Sequence, residues 1–251
     1  HEMGFLRCFC VEKTVIRRVN AHFSLPKMAE IRGMEVLGEL LETIYWITAI
    51  ISFFAFIKLY SNKSLKISLR IFFLYPSITI LLMILSTLCK YEYLDCDVFV
   101  YTNKYSLLFH FVFLTWFITI ELKDSKIRKT AKSLMILLFP LILCLIIYNQ
   151  EIKFLEYVVA YMCVFIFTSL YFVDIFLNIP EKQLTTIPDF WIILGIFVNA
   201  VILIPPLALS SIVINNYPNY IGLMKTLTSL SVIIMYLSFI KGALCTRTLQ
   251  N

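Results

Sequence analysis

The sequence predicts an all-α membrane protein: one polytopic bundle of seven transmembrane helices, N-terminus outside and C-terminus cytoplasmic. Three observations predict it. Hydrophobic residues make up 60% of the 251 positions and charged residues 15%, against about half and a quarter in soluble domains. Mean hydropathy is +0.85, more apolar surface than a soluble chain of this length can hide. The apolar residues fall into seven runs, with basic residues collected in alternate gaps between them, the pattern that sets membrane orientation.

The sixth run, Phe190–Ile214, is the clearest. It passes twenty-five residues without a charge, enough for a helix to cross a hydrocarbon core of roughly 30 Å. Thr185, Thr186, Pro188 and Asp189 precede it in the manner of a helix start. The others are Leu40–Leu59, Ile71–Leu88, Tyr105–Ile120, Ser133–Tyr148, Leu155–Leu177 and Tyr220–Ile240. The fourth is short and carries Pro140. None alternates polar and apolar residues as a barrel strand does, and no internal repeat points to an inverted-repeat transporter.

Residues 1–33 contain no run long enough to span and no secretory signal order. The expectation is a non-native or disordered basic leader, with the native start at Met28 or Met34 and one transmembrane domain over 34–251; the rival reading is a basic amphipathic arm on the membrane surface. Lys58, Lys63, Lys66 and Arg70 follow the first span, and Lys123, Lys126, Arg128, Lys129 and Lys132 follow the third. Lys182 follows the fifth, and Lys241 and Arg247 end the chain. These gaps are expected to be cytoplasmic, in a plasma (inner) membrane. The Lys123–Lys132 loop then meets anionic headgroups or a cytoplasmic partner. The net charge of +6 is orientation charge, so no nucleic-acid partner is expected; the lipid bilayer is the partner the composition demands.

Ionisable and amide groups inside lipid are functional candidates by default. His110 lies about one and a half turns inside the outer edge of the third span; it senses pH, binds a ligand or bonds a neighbouring helix. Asp174 stands near the cytoplasmic end of the fifth span, paired with Lys182 or a loop, or else in a functional role. Glu156 and Lys225 stand near the outer surface as an ion pair or as separate snorkelling groups. Asn199 is the deepest polar side chain of the sixth span and should face the bundle, as interhelical glue or as a cavity wall. Pro76, Pro140 and Pro205-Pro206 free backbone carbonyls and bend helices. Cys89 and Cys96 are a disulfide candidate on the outer side, with two free thiols as the alternative. Cys144 and Cys163 read as buried small apolar groups.

No HExxH, GxSxG or nucleotide loop occurs, so no enzyme, cofactor or metal is expected. A retinal protein needs a mid-membrane lysine on the last span and a carboxylate on the third; Lys225 is too shallow and Tyr105–Ile120 has no acid.

PDFWIILGIFVNAVILIPP at Pro188–Pro206 and YLSFIKGALCTR at Tyr236–Arg247 resemble the small seven-helix bacterial membrane proteins that accompany two-component signalling proteins. The likeness is one of layout over about 210 residues. It implies a sensory or anchoring bundle and a separate cytoplasmic partner such as a histidine kinase. The expected function is therefore a non-enzymatic sensor or accessory protein that couples an apolar ligand or membrane state to that partner. The second hypothesis is a small-solute transporter or permease with a path lined by Asn199, His110 and Asp174.

Overall fold

The computed structural model describes residues 25–60, 66–72, 74–90, 96–148, 155–178, 184–216 and 220–248. The described elements are all helical. They are α1 (Leu25–Tyr60), α2 (Ile67–Phe72), α3 (Leu74–Lys90), α4 (Cys96–Glu121), α5 (Ser125–Tyr148), α6 (Leu155–Leu177), α7 (Pro188–Asn216) and α8 (Ile221–Thr248), with a 3-10 turn at Leu184–Thr186. Four helices are long and apolar enough to cross a membrane, within α5, α6, α7 and α8; shorter apolar stretches lie at Thr43–Ile57, Ile67–Leu82 and Ser106–Glu121. The chain has the make-up of an integral membrane protein.

Local chemistry explains the boundaries. Pro76 has no N–H to return to the Phe72 carbonyl four residues back, and α2 ends at Phe72. Pro188 opens α7 with Asp189 in its first turn, where a missing N–H costs nothing and negative charge meets the positive helix end. Asp124 caps α5: its Oδ1 accepts the N–H groups of Lys126 at 2.6 Å and Ile127 at 3.1 Å.

Two expectations are corrected here. The basic stretch Lys123–Lys132 is not a loop: the turn covers only Leu122–Asp124, and the rest is the start of α5. The third apolar run, Ser106–Glu121, belongs to a longer helix that begins at Cys96, and His110 stands about one turn inside the edge of that run. Cys144 is exposed on α5, while Cys163 is buried as expected. Residues 25–33 of the expected leader lie within α1, and residues 1–24 lie outside the described residues.

Within the bundle, α7 packs most extensively on α8, which packs in turn on α1; α6 joins α7 to α4, and α5 rests on α4 and α6. The α7–α8 seam depends on glycine. A Cβ on Gly195 would lie 2.7 Å from the Ser238 Cβ and 3.0 Å from the Met235 carbonyl, so only hydrogen allows that approach. An aromatic cluster fills the other side of α8. The Phe72 ring stands 5.4 Å from Phe56, 4.5 Å from Phe117 and 5.1 Å from Phe239. Large apolar side chains point outward, Ile136 and Phe176 among the most exposed, which is the surface a lipid-facing helix presents.

Candidate functional site

Two polar features interrupt this interior. The first is a small pocket lined by Tyr75 of α3, Leu107, His110, Phe111 and Leu114 of α4, Ala160, Tyr161 and Val164 of α6, and Asn199 of α7. Its space open to a water's centre is about 10 Å³, the lower limit for one water. His110 Nδ1 and Asn199 Oδ1 are both buried without a hydrogen-bond partner among the described residues. The Tyr75 ring meets the imidazole edge-on, centroids 5.2 Å apart. An orphaned amide oxygen and an orphaned imidazole nitrogen on one pocket call for a polar group that can donate and accept: a water, or the hydroxyl or amine end of a larger molecule.

The second feature is an ionic joint where α2, α4 and α7 come together. Lys66 Nζ donates to Glu121 Oε2 at 2.8 Å and to Asp189 Oδ2 at 2.7 Å. The Ser68 hydroxyl donates to Glu121 Oε1. The two carboxyl side chains are 4% and 6% exposed while the lysine side chain is 62% exposed. Burial disfavours the Lys66 ammonium, but the Asp189 and Glu121 charges outweigh it and hold its pKa above the ordinary lysine value. Asp189 Oδ1 is buried and unpartnered among the described residues. Ten residues of helix separate Asp189 from Asn199, so the joint lies about 15 Å from the pocket along α7.

Asp174 serves this same end of the bundle. Its carboxylate accepts the backbone N–H groups of Lys123 at 2.6 Å and Asp124 at 2.9 Å, and the Asn178 amide at 2.9 Å. It clamps the α4–α5 turn to α6. Arg128 closes that turn from the other side, its Nε donating to the Leu122 carbonyl at 2.8 Å. Lys123, Lys126, Lys129 and Lys132 remain exposed.

Of the residues singled out from the sequence, the structure brings His110 and Asn199 together and gives Asp174 to the turn. Glu156 is buried in the first turn of α6, and Lys225 is half-buried one turn into α8; neither lines the pocket. The side chains of Cys89 and Cys96, and all of Lys182, lie outside the described residues. The joint of Lys66, Glu121 and Asp189 was not singled out. One signal pointed to it: all three stand at span edges that the basic-residue pattern puts on one side. Comparison with family models, curated proteins and solved structures found no match to this chain.

Proposed function

We propose that the chain is a non-enzymatic sensory or accessory bundle of the plasma membrane, with seven spans, N-terminus outside and C-terminus cytoplasmic. The observation that carries this reading is the His110–Asn199 pocket, a water-sized polar site walled by four helices with two unsatisfied atoms. A molecule larger than water enters only if those helices part, so occupancy and helix position are one event. The signal is then the displacement of α4, α6 and α7, which also meet in and around the joint and the Asp174-clamped turn. The ligand class is an apolar molecule with one hydroxyl or amine end. The exposed lysines of early α5 present the change to a separate cytoplasmic protein, such as a histidine kinase.

Transport is the second reading. Its supporting observation is that two of its three expected path residues, His110 and Asn199, share the pocket. The third, Asp174, has its carboxylate engaged by backbone N–H groups away from it, which favours the sensor. The test is labelling of single cysteines at Ala200 and Lys126 by a membrane-impermeant maleimide, in cells and without the native cysteines. The sensory reading expects silence at Ala200, and at Lys126 unless the membrane is opened. Labelling at Ala200 in sealed cells reveals a water path and replaces sensing with transport.

A further inference from the structure

One ammonium faces two buried carboxylates at the joint, and the charges do not cancel. With both acids ionised, Lys66, Glu121 and Asp189 sum to one negative charge. On α6, Tyr171 lies within electrostatic range of Asp189, Glu121 and Asp174, and Asp174 adds a further negative charge. On α2, Ser68 gives Glu121 a hydroxyl, and Arg70 stands one turn beyond Lys66. On α8, a Cβ on Gly242 would lie 3.0 Å from the Pro188 carbonyl, and the neighbouring Lys241 sits 5.8 Å over the Trp191 ring.

An uncompensated charge in a desolvated site is expensive, and such sites usually neutralise by taking up a proton. Two observations show where that proton fits. Glu121 Oε2 and Asp189 Oδ2 accept from the same Lys66 Nζ at 2.8 and 2.7 Å, which holds the two carboxyls side by side, an arrangement that two ionised carboxylates oppose and one proton relieves. Asp189 Oδ1 is buried and lacks a partner. One proton therefore satisfies both the charge and the orphaned oxygen. We propose that Glu121 and Asp189 hold a single proton between them, exchanged with water along the exposed side of Lys66.

The proton comes from and returns to the aqueous phase, and no other bond changes. When it leaves, two like charges face each other between α4 and α7, bridged by the Lys66 ammonium. The joint is then a proton-controlled contact between the helices it ties. This inference stands apart from the sensory reading, because it needs neither a ligand nor a partner.

The test is infrared difference spectroscopy of the full chain in lipid nanodiscs, titrated over about pH 5 to 9, where an elevated carboxyl titrates. The readout is the C=O stretch of a protonated carboxylic acid. The wild type should show such a band and lose it as pH rises. Glu121→Gln and Asp189→Asn should each abolish the pH-dependent band. Lys66→Met should move its loss to higher pH, since removing the ammonium strengthens the pair's hold on the proton. Ser68→Ala, a mild change for cases where the charge variants fail to fold, should shift the band in the same direction. No titrating band in the wild type, or one untouched by Ser68→Ala and by both carboxyl variants, overturns the proposal.

Discussion

Phe72, Asp174 and Asn199 each test a different force in this bundle. The Phe72 ring has aromatic neighbours on α1, α3, α4 and α8. Lipid cannot follow into the hole its removal leaves, so Phe72→Ala should cost about 3–5 kcal/mol, read by unfolding in mixed micelles. Asp174→Ala strands two backbone N–H groups and should cost on the order of 3 kcal/mol. Hydrogen exchange at Lys123 and Asp124 should accelerate in that variant; unchanged protection there would remove Asp174 from its clamping role. Asn199→Leu removes an amide oxygen that has no partner among the described residues together with the side-chain hydrogen bond to Tyr161. It should cost about 1 kcal/mol. A much larger loss, measured as the shift in unfolding midpoint, would make the amide structural glue rather than a pocket wall.

At the scale of helices, the last pair is the most constrained. Gly195→Leu drives a side chain into the Ser238 Cβ and the Met235 carbonyl, and should cost at least about 2 kcal/mol. Cross-linking between introduced cysteines on α7 and α8 should weaken with it; undiminished cross-linking would mean the seam is looser than described. The start of α5 answers to pH. The Ile127 and Lys126 N–H groups hold the Asp124 carboxyl below the usual carboxylate range. A depressed folded-state pKa gives stability that is complete above the ordinary value of about 4 and fades as pH falls through the lowered one. Acidification below about pH 4 should therefore fray the first turn of α5, seen as faster exchange at Lys126 and Ile127, with no change between neutral pH and that point.

These helices also show what could be read in advance. α6 was legible residue for residue as Leu155–Leu177, because charged and turn residues bracket an unbroken apolar run. The start of α5 was not, because Lys126, Arg128, Lys129 and Lys132 look like a loop when their side chains are counted. What makes them helical is the Asp124 cap and the Asp174 clamp, one local and one fifty residues away. The beginning of α4 was hidden in the same way by Asp97, Asn103 and Lys104.

For the whole molecule, the apolar composition made the membrane class plain, and the basic residues grouped the span edges that meet at the joint. The joint itself was illegible. Lys66, Glu121 and Asp189 each read as an ordinary interfacial residue, and periodicity carries no information on pairing across 55 or 123 positions. The same arrangement makes a topological prediction. A Cβ on Gly242 of α8 would lie 3.0 Å from the Pro188 carbonyl and Lys241 lies over the Trp191 ring, so Lys241 and Asp189 share an end of the bundle, as do Lys66 and the α4–α5 turn. Single cysteines at Lys126 and Lys241 should be modified from the same side of the membrane. Opposite sidedness would break the alternating seven-span order.

The three members of the joint also leave the ribosome in a fixed sequence. Lys66 and Glu121 emerge first and form a balanced pair of one positive and one negative charge. Asp189 arrives nearly seventy residues later and upsets that balance. A nascent chain halted before α7 is therefore electrically settled at this point, and only the finished chain acquires a need for the extra proton. On the proposed proton sharing, a translation product cut after α6 should lack the titrating carboxyl altogether, so the acid signature would report completed synthesis.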